Sequence, residues 1–197
     1  MYVTRRGALV MGGLALAGCA APAREPARSF AASQSSRSDK IAAVERAVLA
    51  LGPDVAPDEA AAVARIAVNE PLVWAREWDV VDPPLVHNIK VNTGVKPRGL
   101  CKHWAEDLEV RLRQERLQSL SLHRAIANAD TLRIEHSTVI VSARGAPMAS
   151  GLVLDPWRQG QGRLWFGRVA DDPKYRWMRR ADVFAMKRKR RERQDGL

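Results

Sequence analysis

"CKHWAEDLEVRLRQERLQSLSLHRAIA" (101–127) changes its hydrophobic period partway along. Trp104, Ala105, Leu108 and Leu112 recur at helical spacing and form one apolar stripe. Asp107–Arg111 and Glu109–Arg113 are opposite charges four residues apart on the outer face, so an amphipathic helix is predicted to start at or just before Cys101. From Ser119 the alternation shortens to two residues, and "SLSLHRAIA" (119–127) reads as a strand. The same signature recurs downstream in "HSTVIVSA" (136–143), "MASGLVLD" (148–155) and "RLWFGRV" (163–169).

Upstream the pattern is helical. "SDKIAAVERAVLALG" (38–52) opens on a capping candidate, Ser38, ends at Gly52, and carries Ile41, Val44, Val48 and Leu51 on one stripe. "PDEAAAVARIAVNE" (57–70) has Pro57 at its start and two acids in its first turn. Pro71 is expected to interrupt, with "LVWAREWDVV" (72–81) continuing as a separate helical piece, and the proline-rich "DPPLVHNIKVNTGVKPRG" (82–99) as loop. Helices first and strands second predict an α+β fold with an antiparallel sheet.

The beginning of the chain reads as an export signal. Arg5 and Arg6 precede "GALVMGGLALAG" (7–18), an apolar run too short to span a bilayer. It ends in "LAGC" (16–19), which resembles the bacterial lipobox; that resemblance implies acylation of Cys19 and anchoring of the chain to a membrane, the outer one favoured because Ala20 follows. Residues 1–19 are therefore expected to be a signal peptide and 20–37 a flexible tether rich in Ala, Ser, Pro and Arg. One α+β domain is expected over 38–175, and a basic C-terminal segment over 176–197.

The chain carries 32 Lys+Arg against 22 Asp+Glu, and "KRKRRER" (187–193) holds six basic residues in seven. Such a run reads either as a solvated, frayed charged terminus or as an anion-binding footprint, which in an exported protein suits anionic envelope polymers or phospholipid head groups rather than nucleic acid. Four histidines without clustered spacing give no metal site, and no cofactor motif is present.

With Cys19 acylated, Cys101 is the one thiol left and has no internal disulfide partner. At the start of a helix, unsatisfied N–H groups and the positive dipole end favour an anionic sulfur. Gly99 would let the backbone approach a substrate closely. A cysteine nucleophile needs an imidazole to move protons and a third group to orient that ring. His136 opens one strand and Asp155 closes the next. If "RGAP" (144–147) is a four-residue hairpin loop, 143 pairs with 148 and His136 faces Asp155 directly. His123, on the preceding strand, is the reserve base. Each residue also has a plain structural use, as a small buried thiol, a core histidine and a turn aspartate.

"GLCKHWAEDL" (99–108), "EHSTVIV" (135–141) and "GLVLDPW" (151–157) resemble the transglutaminase-like branch of the papain-like cysteine enzymes in residue order and context. The resemblance implies a helix packed on an antiparallel sheet, with Cys101 as nucleophile, His136 as base and Asp155 as orienting acid. It further implies amide-bond hydrolysis or acyl transfer on a protein or a peptidoglycan peptide. For the oxyanion the candidates are the Cys101 N–H and the side chains of Asn88, Asn92 or His87. Trp157, Trp165 and His103 are candidates to contact substrate, with packing between sheet and helix the competing use of the tryptophans. The rival functional class is a non-catalytic envelope lipoprotein binding an anionic polymer or an assembly partner.

Overall fold

The computed structural model describes residues 26–196, with side chains from Ser36 onward. The expected signal peptide with Cys19, and residues 20–25 of the expected tether, lie outside the described residues. The rest is α+β. Five helices are α1 (Pro26–Leu49), α2 (Pro57–Glu77), α3 (Pro84–Asn92), α4 (Cys101–Arg113) and α5 (Arg180–Asp195). Five strands are β1 (Leu120–Ala127), β2 (His136–Ala143), β3 (Leu152–Asp155), β4 (Trp165–Arg168) and β5 (Trp177–Arg179). They form one sheet in the order β4-β3-β2-β1-β5, antiparallel at every pairing.

α4 lies on one sheet face and binds the helical layer to it. Its stripe residues Trp104, Ala105, Leu108 and Leu112 are all buried. Leu108 and Leu112 join Val44 and Val48 of α1, Val63 and Ile66 of α2, and Val139 and Val141 of β2 in the main core. Each such side chain removed from water stabilises the fold by about 1.5–3 kcal/mol. The opposite sheet face carries a smaller apolar cluster of Ala125, Ile140, Met148 and Val153, with Trp165, Val169 and Trp177 against it. Glu59, in the first turn of α2, accepts hydrogen bonds from Ser119 N at 2.9 Å and Ser119 Oγ at 2.6 Å, tying α2 to the entry of β1.

Several local expectations change. Helix α1 begins at Pro26, so it takes in residues 26–37 of the expected tether and runs through Ser38 rather than being capped there. No Gly or Pro lies between Pro26 and Gly52, so nothing in that stretch breaks a helix. Pro71 is buried inside a continuous α2; tertiary packing outweighs the lost N–H, which costs about 3 kcal/mol in an exposed helix. Residues 84–92, expected as loop, form α3, because Pro84 occupies the first helical position, where a missing donor costs nothing. Glu109–Arg113 is a salt bridge at 2.7 Å, but Asp107 pairs with Arg98 and not with Arg111, which turns to Glu115. The 176–197 segment is no separate tail: β5 hydrogen-bonds to β1, and Val183 of α5 is buried with Ile126 and Ala129.

The β2–β3 register decides the site. Val139 pairs with Leu154 and Val141 with Leu152. The connection is longer than the expected "RGAP" hairpin and includes a 3₁₀ turn, Met148–Ser150, where strand was expected. Asp155 therefore lies opposite Thr138, two positions from the expected partner His136. Because side chains alternate with a period of two, this slip leaves both residues on one face.

Candidate active site

Cys101 is the first residue of α4, and the three residues before it are held from several sides. His87, fully buried on α3, hydrogen-bonds through Nε2 to the Arg98 carbonyl at 2.8 Å. Gly99 has φ +121°, and a Cβ there would sit 2.3 Å from His87 Nε2. The glycine thus admits His87 to the backbone, not a substrate as its position suggested. The Gly99 carbonyl accepts from Trp104 Nε1 at 2.8 Å. His103 Nδ1 accepts the N–H groups of Gly99 and Leu100 at 3.2 and 3.3 Å, acting as the reaching-back half of a capping box. Burial and the neighbouring Arg98 and Lys102 hold His103 below its usual pKa, which suits a neutral acceptor. Arg98 grips Asp107 through two bonds at 2.7 and 2.8 Å. Cys101 itself is partly exposed.

His136, the first residue of β2, stands at the sheet end where α4 begins. The Cys101 Sγ lies 3.7 Å from the carbonyl of Glu135, the residue just before it. On its other side the ring meets Asp155: Nε2 is 2.6 Å from Oδ2, with both side chains buried. A carboxylate partner favours a proton on Nε2 and leaves Nδ1 as the nitrogen free of the carboxylate. Nδ1 is buried with no well-formed hydrogen bond, and the nearby Cys101 sulfur acts on the ring through a weak hydrogen bond as well as by charge. Burial alone would lower the pKa of His136; Asp155, with a smaller contribution from Cys101, outweighs it and raises it to about 9. Trp157, Tyr175 and Trp177 surround the imidazole at centroid distances of 4.8, 4.6 and 5.5 Å.

Asp155 is fully buried and fully satisfied. Oδ1 accepts from the N–H groups of Trp157 and Arg158 at 3.1 and 3.0 Å, the turn that Pro156 favours. Oδ2 accepts from His136 and from Arg158 Nε at 3.0 Å. Burial would push this carboxyl up, but His136 and Arg158 hold it below the usual range. Arg158 continues to Asp172 at 2.7 Å and lies 3.5 Å above the Trp165 ring. Asp172 also accepts from Trp177 Nε1 at 2.9 Å. A chain of alternating charge, His136–Asp155–Arg158–Asp172, thus runs behind the imidazole.

Two cavities meet at Cys101 and His136, of about 610 and 520 Å³. Trp157 lines the larger and donates from Nε1 to Asn88 Oδ1 at 3.2 Å. Asn88 lines both, and Asn92 the smaller. Trp165 and His103 line neither: Trp165 packs under Arg158, and His103 caps α4. His87 turns to the Arg98 carbonyl, and His123 bonds Ser142 Oγ at 2.8 Å away from the cleft. Arg158, Asp172, Tyr175 and Trp177 escaped sequence reasoning. For Arg158 a signal existed, since "DPWR" (155–158) brings Asp155 and Arg158 one turn apart; for the other three the sequence carried none. Among the described residues no group of three or more His, Cys, Asp and Glu is arranged to hold a metal ion, and no helix is long and apolar enough to cross a membrane.

The chain matches no known protein family, no curated protein and no solved structure.

Proposed function

We propose that the chain is a cysteine-dependent amide hydrolase or acyltransferase with a transglutaminase-like, papain-like core. One observation carries this: His136 has a buried carboxylate on Nε2 and an Nδ1 with no well-formed hydrogen bond, in a cleft it shares with a cysteine at a helix start. The Cys101 thiolate attacks the carbonyl carbon of an amide, forming the C–S bond. His136 gives the Nδ1 proton to the departing nitrogen as the C–N bond breaks, leaving a thioester and a free amine. Water or a second amine, deprotonated by the same nitrogen, then releases the acyl group and restores the thiolate. Cys101 N–H, a first-turn donor without an intrahelical acceptor, and the Asn88 amide, whose Oδ1 is already engaged by Trp157, supply the oxyanion donors. The protein or peptidoglycan-peptide substrate and the envelope location through acylated Cys19 are part of the proposal.

The test is alkylation of the folded protein by iodoacetamide at neutral pH, followed by mass spectrometry. Fast labelling of Cys101 that slows in His136→Ala supports the assignment. Labelling only after denaturation sinks it.

A second reading draws support from α5, whose run 187–193 is largely exposed and rich in Lys and Arg. A non-catalytic envelope module would bind an anionic polymer there. Deleting 187–197 would then abolish salt-sensitive binding, while Cys101→Ser changed nothing.

A further inference from the structure

The two cavities that meet at Cys101 and His136 differ in charge. In the larger, walled by Pro84, Leu132 and Tyr175, the exposed cations Arg133 and Lys174 have no carboxylate within ion-pair distance among the described residues. The acid there, Glu135, is taken by Lys187 of α5 at 2.5 Å. Arg158 is committed to Asp155 and Asp172, so its charge is already balanced. The smaller cavity is mixed: Lys102, Arg124 and Arg180 face Glu106 and Glu109, and Glu109 already bonds Arg124 at 3.0 Å. The rim of the larger cavity is also apolar, with Leu85, Leu132 and Ile134 all exposed.

From this asymmetry we infer that the larger cavity takes a carboxylate-bearing, partly apolar peptide segment on one side of the scissile amide. The inference rests on the proposed cysteine chemistry for its orientation, and on Arg133 and Lys174 for its specificity. The apolar rim covers the segment's backbone and side chains, while Arg133 and Lys174 draw its carboxylate; His136 adds no net charge, because Asp155 balances it.

Charged thiol reagents test it without a known substrate. The probes are sulfonatoethyl, trimethylammonioethyl and methyl methanethiosulfonate, which carry a negative, a positive and no charge. Their rates with Cys101 are measured on the full chain at low ionic strength. The sulfonate should outpace the trimethylammonium reagent, each normalised to the neutral one. In R133E/K174E that preference should fall about five-fold, and the fall should shrink as salt is added. The pair R46E/R65E makes the same net change on exposed faces of α1 and α2, away from the cleft, and should leave the preference intact. An equal preference in wild type and R133E/K174E overturns the inference. If the neutral reagent fails to reach Cys101, the cysteine mechanism falls separately. The cavity is then tested in Cys101→Ala by binding of blocked Ala-Glu-Ala and Ala-Lys-Ala peptides. Tighter binding of the glutamyl peptide, lost in R133E/K174E, keeps the inference; equal binding ends it.

Discussion

Raising the pH from 6 to 10 should remove a defined part of the stability of this fold, and His136 sets how much. Its pKa is raised from the ordinary 6.5 to about 9, because Asp155 and Cys101 outweigh the burial of the ring. The folded state therefore binds the His136 proton more tightly than the unfolded chain does. That stabilisation is complete below pH 6.5, declines as the unfolded histidine deprotonates, and is gone once pH passes through about 9. A difference of this size corresponds to roughly 3 kcal/mol. Urea denaturation at pH 6, 7.5, 9 and 10, on wild type and His136→Gln, reads it together with the linked Asp155 and Cys101, since the titrating groups that His136 does not touch are common to both proteins. The stability difference should shrink by about 3 kcal/mol between pH 6 and pH 10. An imidazole carbon resonance followed by NMR should titrate with a midpoint near 9. A midpoint at or below 6.5, with a stability difference independent of pH, would mean burial wins over Asp155 and would falsify the proposed ring environment.

Asp155→Asn should keep the fold but slow acyl transfer by about 10³–10⁴-fold, because an amide neither stabilises the imidazolium nor fixes its tautomer; single-turnover thioester formation reads this out. Arg158→Met leaves Asp155 and Asp172 buried without their shared cation and should cost about 3–5 kcal/mol in urea unfolding. Gly99→Ala forces a Cβ against His87 Nε2 at a left-handed backbone angle, so a loss of about 1–3 kcal/mol and slower Cys101 alkylation should appear together. Under the proposed mechanism turnover should decline as pH rises through about 9, where His136 loses the proton it would give to the leaving amine, while Cys101 alkylation should not decline there.

The parts of the site legible in the sequence are those with a local signal. Cys101 opens the strongest amphipathic stripe among the described helices, and His136 and Asp155 bound segments of clear strand character. Their meeting survived a register error because the slip was even. A slip of one would have carried Asp155 to the face of Val139 and Val141 under α4. The parts that were illegible depend on contacts across long stretches of chain. Pro71 and Pro84 look like breaks until burial and first-turn placement are known. His87 reads as a loop histidine, yet it fixes the bend before Cys101. Asp172 carries no local pattern, and its bond to Arg158 exists only after the sheet has formed.

The order of these residues along the chain also bears on when reactivity can arise. Any process that delivers the polypeptide from its amino end, whether synthesis or export, presents Cys101 well before Asp172, Tyr175 and Trp177. Until β5 docks on β1, the imidazole lacks two of its three aromatic neighbours and Arg158 lacks its second carboxylate. A nascent or truncated chain would thus carry a thiol with an ill-held proton acceptor. For the proposed nucleophile, the order of elements in the chain delays assembly of the complete imidazole surround until β5 has docked.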